Sequence, residues 1–166
     1  MNNIPEIYLP TVKAITITMR QFLAEGRELH AIAFLGTMDG RLIDIPMNTE
    51  NDQTKDAAAH LVSLISKQLK PDFAIVISEA WALMKDTPRE EIDKIIEQHK
   101  SISEHPDRQE VVFLTLETRQ GIWMGTSPIK SLGEDKRGFD DLKFTFATGI
   151  EGRFTNFLHA DSDIRH

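Results

Sequence analysis

A chain of 166 residues with 40% hydrophobic and 27% charged side chains has the balance of a globular protein, and this length suits one domain around one core. The absence of cysteine excludes disulfide frameworks, thiolate nucleophiles, zinc–thiolate sites and iron–sulfur clusters together. A net charge of −7 with scattered Lys and Arg repels phosphate backbones and anionic lipid, so neither a nucleic-acid nor a membrane partner is expected.

The opening MNNIPEIYLP has no basic or apolar leader region, and no apolar run approaches the roughly 20 residues that span a bilayer, which points to the cytoplasm. Pro10 and Thr11 then lead into Val12, Ile15, Met19, Phe22 and Leu23, spaced along one helical face and followed by Gly26. This pattern predicts a helix over 10–25. The β-branched Thr16, Ile17 and Thr18 lower its intrinsic propensity, so packing must hold it.

The stretch from Leu29 to Leu35 is apolar on both faces, whereas Arg41 to Met47 mixes its faces and contains Pro46. The first reads as a central strand and the second as one nearer an edge. Between them Asp39-Gly40 supplies the turn chemistry of a tight hairpin. From Asp52 the spacing is helical again, with Ala57, Ala58, Leu61, Val62, Leu64, Ile65 and Leu69 on one broad face and Pro71 just beyond. A helix over 52–69 packed on the sheet through Leu61, Leu64 and Ile65 is expected. Phe73 to Met84 then reads as a long strand, buried on both faces at least through Ile77.

The charged interval 85–109 contains Thr87-Pro88-Arg89-Glu90, with the cap chemistry of a helix start, and predicts a short helix over 88–99. Its narrow stripe of Ile92, Ile95 and Ile96 makes Ile92 and Ile96 candidate partner contacts. Val111 to Glu117 and Gly121 to Gly125 form a strand pair around Thr118-Arg119-Gln120-Gly121, and Ser131 to Asp141 reads as a loop. Leu142, Phe144 and Phe146 alternate with Lys143 and Thr145 as in a half-exposed strand. A final hairpin through Gly149-Ile150-Glu151-Gly152 to Leu158 is expected, with 159–166 a frayed tail.

These elements define an α+β domain over 1–158, with a mostly antiparallel sheet of five to seven strands in the order αββαβ(α)βββ(β) and helices packed on it. The αββαβββ order resembles that of roadblock or longin-type domains, small regulatory platforms that often dimerise. Ser78-Glu79-Ala80-Trp81, followed by Glu104-His105-Pro106-Asp107-Arg108-Gln109-Glu110, resembles a family of uncharacterised bacterial and phage proteins. That second likeness covers about 70–118 and implies no activity.

Chemistry-bearing residues concentrate in the same stretch. Alternation along the third strand places Glu79 on one face with Phe73, Ile75, Ile77, Trp81 and Leu83, and a carboxylate in such company needs a partner. Arg108 is expected to supply it as a two-pronged ion pair. The functional alternative is a polar site in which Glu79, His105, Asp107 and Glu117 bind a divalent ion or act as acid and base. HxxE, HExxH and HxH patterns are absent and Pro106 makes the His105 segment a loop, so no metal and no cofactor are assigned. His60, four residues after Asp56, reads as a half-exposed helical histidine. The glycine turns lack the strand-to-helix context of a phosphate cradle, and no serine sits in a GxSxG elbow. Trp81 and Trp123 read as core anchors, with Trp81 also a candidate pocket aromatic. A non-enzymatic regulatory or adaptor protein acting on a protein partner or on itself is the leading expectation. A small metal-dependent hydrolase, or a ligand sensor near Glu79, Trp81 and His105, is the alternative.

Overall fold

The structure, a computed structural model, describes residues 4–83, 108–147, 154, 155, 157 and 158. The expected helix at 88–99, with Ile92 and Ile96, and the turn at 149–152 lie outside the described residues, as does the tail 159–166.

After a single 3-10 turn at Glu6–Tyr8, the chain enters helix α1, Leu9–Ala24, with Pro10 in its first turn, where a missing N–H costs nothing. Val12, Ile15, Met19 and Leu23 line its buried face. The Thr16 hydroxyl donates to the Lys13 carbonyl and that of Thr18 to the Ala14 carbonyl, each at 3.0 Å, so both threonines turn back on their own helix. Strands β1, Ile32–Gly36, and β2, Leu42–Pro46, form the hairpin expected around Asp39-Gly40, and Gly40 takes the positive φ of +96°. Pro46, which has no N–H to give, lies on β2, whose described pairing is with β1 alone.

Helix α2, Asp52–Leu69, starts at a capping box in which the Asn51 side chain accepts from the Thr54 N–H while the Thr54 hydroxyl accepts from the Asn51 N–H. It buries Val62 and Ser66, with Ala58, Ile65 and Leu69 partly buried beside them. The expected contact face is corrected here: Ile65 packs, but Leu61 and Leu64 are 48% and 46% exposed. The apolar residues of α2 span a wider arc than the face that meets the sheet, and the narrower set centred on Val62 is the one that docks.

Strand β3, Phe73–Leu83, pairs with β1 on one side and with β4, Arg108–Thr118, on the other. Strand β5, Gly121–Gly133, follows across a tight turn, and β6, Lys136–Phe139, and β7, Lys143–Ala147, pair with its second and first halves. The described sheet is antiparallel throughout, with seven strands in the order β2-β1-β3-β4-β5-β6 and β7 also on β5. This is an α+β fold. The loop expected at 131–141 is instead mostly hairpin: β5 runs on to Gly133, and Glu134 and Asp135 turn the chain at φ values of 48° and 65°. With Gly133 at φ 89° beside a bulge in the ladder, three successive positive φ angles give the twist of a tight hairpin, although the two central residues are not glycine.

The sheet carries a core on each face. Phe73, Ile75 and Ile77 of β3 join Val112, Leu114, Leu116 and Trp123 beneath α1, while Ala74 and Val76 join Ala31, Ala33, Leu35 and Ile45 beneath Val62 of α2. Large side chains fill the first face and alanines dominate the centre of the second. Close cross-strand packing also explains two glycines: a Cβ at Gly36 would meet the ring of Phe73, and one at Gly125 the ring of Phe144. The second half of β5 outruns its pairing with β4, which ends at Val111 opposite Pro128, and swings with β6 around α1. Arg20 of α1 fastens this arm by donating from Nε to the Phe139 carbonyl at 2.9 Å.

Two leucines separate the buried and solvent faces on the α2 side. Leu35→Ala, at a site with no exposure, should cost about 2–5 kcal/mol. Leu61→Ala should stay within about 0.5 kcal/mol, both measured by urea denaturation, and equal losses would refute the assignment of faces.

Candidate functional site

Alternation along β3 sends Glu79 to the α1 face, in line with Ile77 and Trp81, at the point where that face leaves the apolar core. Its register partner is Val112, and Trp81 stands opposite Glu110. The basic partner comes from β6. Arg137 Nη2 lies 2.8 Å from Glu79 Oε1, and Nη1 lies 3.4 Å from Glu79 Oε2 and 3.3 Å from Glu110 Oε2. One guanidinium thus bridges two carboxylates on adjacent strands in the planar geometry that suits it. The Leu29 N–H, in the loop after α1, also donates to Glu79 Oε1 at 3.2 Å. Burial lowers the pKa of Arg137, but the hydrogen bonds and charges of Glu79 and Glu110 outweigh it and leave the pKa raised.

Arg108, the expected partner of Glu79, is placed elsewhere. It sits opposite Leu83, and its guanidinium lies over the Trp81 ring at 4.9 Å, a cation–π contact. Trp81 is 41% exposed and serves as a stacking surface, whereas Trp123 is the buried anchor, with Phe146 edge-on to it at 5.0 Å. Glu117 does not join Glu79 either: it stands opposite Ala74, on the α2 face. There it is 3% exposed and accepts the N–H groups of Phe157 and Leu158, each at 3.0 Å. His105 and Asp107 lie outside the described residues. His60 is exposed on α2. Phe154, Thr155, Phe157 and Leu158, expected in a closing strand, are turns and bends.

A cleft of about 480 Å³ opens over the ion triad, lined by Gly26, Glu28, Leu29, His30, Glu79, Glu110, Asp135 and Arg137. Four carboxylates face one guanidinium and one imidazole, so the wall favours cations over anions. Among the described residues no three His, Asp or Glu converge as metal ligands. The geometry mainly supports one physical role, which is to tie β6 and the loop after α1 to the ends of β3 and β4. Arg137 and Glu110 were not singled out from sequence. The available signal was alternation in β6, which puts Arg137 on the same face as the buried Phe139, but it required the hairpin at Glu134-Asp135 to be seen first.

No family model, curated protein or solved structure matches this chain. The fold and the triad therefore stand on their own geometry.

Glu79→Gln and Arg137→Met should each cost about 1.5–3 kcal/mol, the range for hydrogen bonds to charged groups. Their double mutant should lose at least about 0.5 kcal/mol less than the sum. The matching cycle of Glu79 with Arg108 should be nearly additive, and coupling confined to that second cycle would refute the Arg137 pairing. One step further along the row, Ser127 lies opposite Val112 with a buried hydroxyl that makes no hydrogen bond among the described residues. Ser127→Ala should leave stability unchanged or raise it by up to about 1 kcal/mol, and a loss above that in thermal unfolding would show a partner for the hydroxyl.

Proposed function

We propose that this protein is a non-enzymatic regulatory or adaptor module that acts through protein contact, a second copy of itself included. The observation that carries this reading is the apolar surface of the α2 layer. Leu61 and Leu64 are about half exposed on the helix, and Ile43 is 39% exposed on edge strand β2. Ile43 pairs with Leu35, whose side chain belongs to the α2-side core, so it projects from the same face of the sheet. Exposed Leu61, Leu64 and Ile43 on this layer, beside a strand described with one neighbour, are the kind of apolar surface that protein contact covers.

A second reading rests on the cleft over Glu79, Glu110 and Arg137, whose carboxylate excess suits a small cationic ligand. A thermal-shift screen with amines and guanidinium compounds addresses it, and a saturable rise in melting temperature that Glu110→Gln abolishes would support a sensor.

For the leading reading, Leu61→Glu with Leu64→Glu should leave far-UV circular dichroism unchanged. The particle mass by light scattering should fall to the 18.9 kDa of one chain from a larger value in the parent. A parent already at that mass would remove self-association, and a variant that loses helicity would show these leucines to be core.

A further inference from the structure

The α2 face of the sheet is built for something small on one side and aromatic on the other. Its centre is lined by Ala31, Ala33 and Ala74, and the facing turn of α2 offers Ser66, so side chains from the elements themselves leave a slot. Phe157 occupies that core at 3% exposure, with Phe154 and Leu158 packed at its margin. Polar groups on both walls of the slot hold its backbone. Glu117, buried on β4, accepts two successive N–H groups, those of Phe157 and Leu158, and the Ser66 hydroxyl donates to the Phe157 carbonyl at 2.9 Å. A buried carboxylate reading two consecutive amides, a hydroxyl reading the carbonyl between them and an apolar slot for the side chain are the elements of a peptide-recognition site.

We propose that this slot is a peptide-binding site, occupied in cis by the chain's own Phe157 and Leu158, which leave and re-enter it as a unit without unfolding the sheet. The ligand class is an extended segment with an aromatic residue followed by an aliphatic one. Separability follows from how the segment is held. Among the described residues its ties are to side chains, and no backbone-to-backbone hydrogen bond joins it to a strand. Opening it breaks none of the ladder bonds among the described residues, whereas opening β3 or β4 breaks one on each side.

Amide hydrogen exchange by NMR on the full chain tests the opening. Glu117→Gln should speed exchange at Phe157 and Leu158 by about tenfold or more while leaving Ile75 and Leu114 unchanged. Equal acceleration at all four would overturn the proposal by making the segment part of the cooperative core. If Glu117→Gln does not fold, Ser66→Ala, which removes one bond and no charge, must show the same contrast or the proposal fails. Recognition is tested in trans on full-length Phe157→Ala with a synthetic peptide of the sequence of residues 153–160. Saturable shifts of the Ser66 and Glu117 amides, absent with the peptide carrying Phe157→Ala, support the site. A folded variant that shows no shift, or a variant that cannot fold, overturns it.

Discussion

Strand β3 is the constraint on which the rest of the molecule depends. It is hydrogen-bonded on both edges, to β1 and β4, and apolar on both faces from Phe73 to Ile77. Burying Ile75 and Ile77 completely contributes about 1.5–3 kcal/mol each, but only if something covers that face, and Ala74 and Val76 make the same demand of the other. A sheet with two apolar faces cannot stand in water with one helix layer. Helices α1 and α2 answer that demand from opposite sides, α1 through Val12, Ile15, Met19 and Leu23 and α2 through the arc centred on Val62.

A second constraint sits at the far edge. The β4–β5 ladder is described as far as Pro128, which has no N–H to continue it, and past this point β5 carries β6 away around α1. What returns the arm to the sheet is electrostatic: Arg137 reaches back to Glu110, beside the last β4 residue paired with β5, and to Glu79 on β3. Arg20 to Phe139 and the Lys130–Asp140 ion pair add fastening along the same arm, and the pKa of Asp140 is lowered by its bond to Lys130. The carboxylate at the polar end of β3 is thereby explained as part of the closure, which agrees with its position where the apolar row runs out.

Much of the fold was legible because its elements obey a simple period. The helix of α1, the Asp39-Gly40 hairpin, the doubly buried β3 and the strand pair around Gly121 all follow from spacing and turn residues. Failures occurred where the deciding information is tertiary. Both faces of α2 carry leucine, so periodicity could not choose between Val62 and Leu61. The turn centres on Glu134-Asp135 with its glycine, Gly133, one place earlier than a tight-hairpin signal has it, which hid β6 and with it Arg137. The need of Glu79 for a cation was readable from its row, but which arginine meets that need depends on the curl of the sheet. Arg108, nearer in sequence, is carried by register to Trp81 instead.

The two faces of the sheet close differently. On the α1 side, large side chains fill the space and β6 also meets the helix, where Arg20 donates to the Phe139 carbonyl. On the α2 side the alanines keep the layer thin, and Phe157 must be added from the chain's far end to complete the core. Among the described residues helix α2 packs along the arc of Ala58, Val62, Ile65, Ser66 and Leu69, and Leu61 and Leu64 on the neighbouring arc stay about half exposed. Under the proposed adaptor role, contact with another protein would bury Leu61 and Leu64, and the gain would scale with apolar area at about 25 cal/mol per Å² before the cost of association.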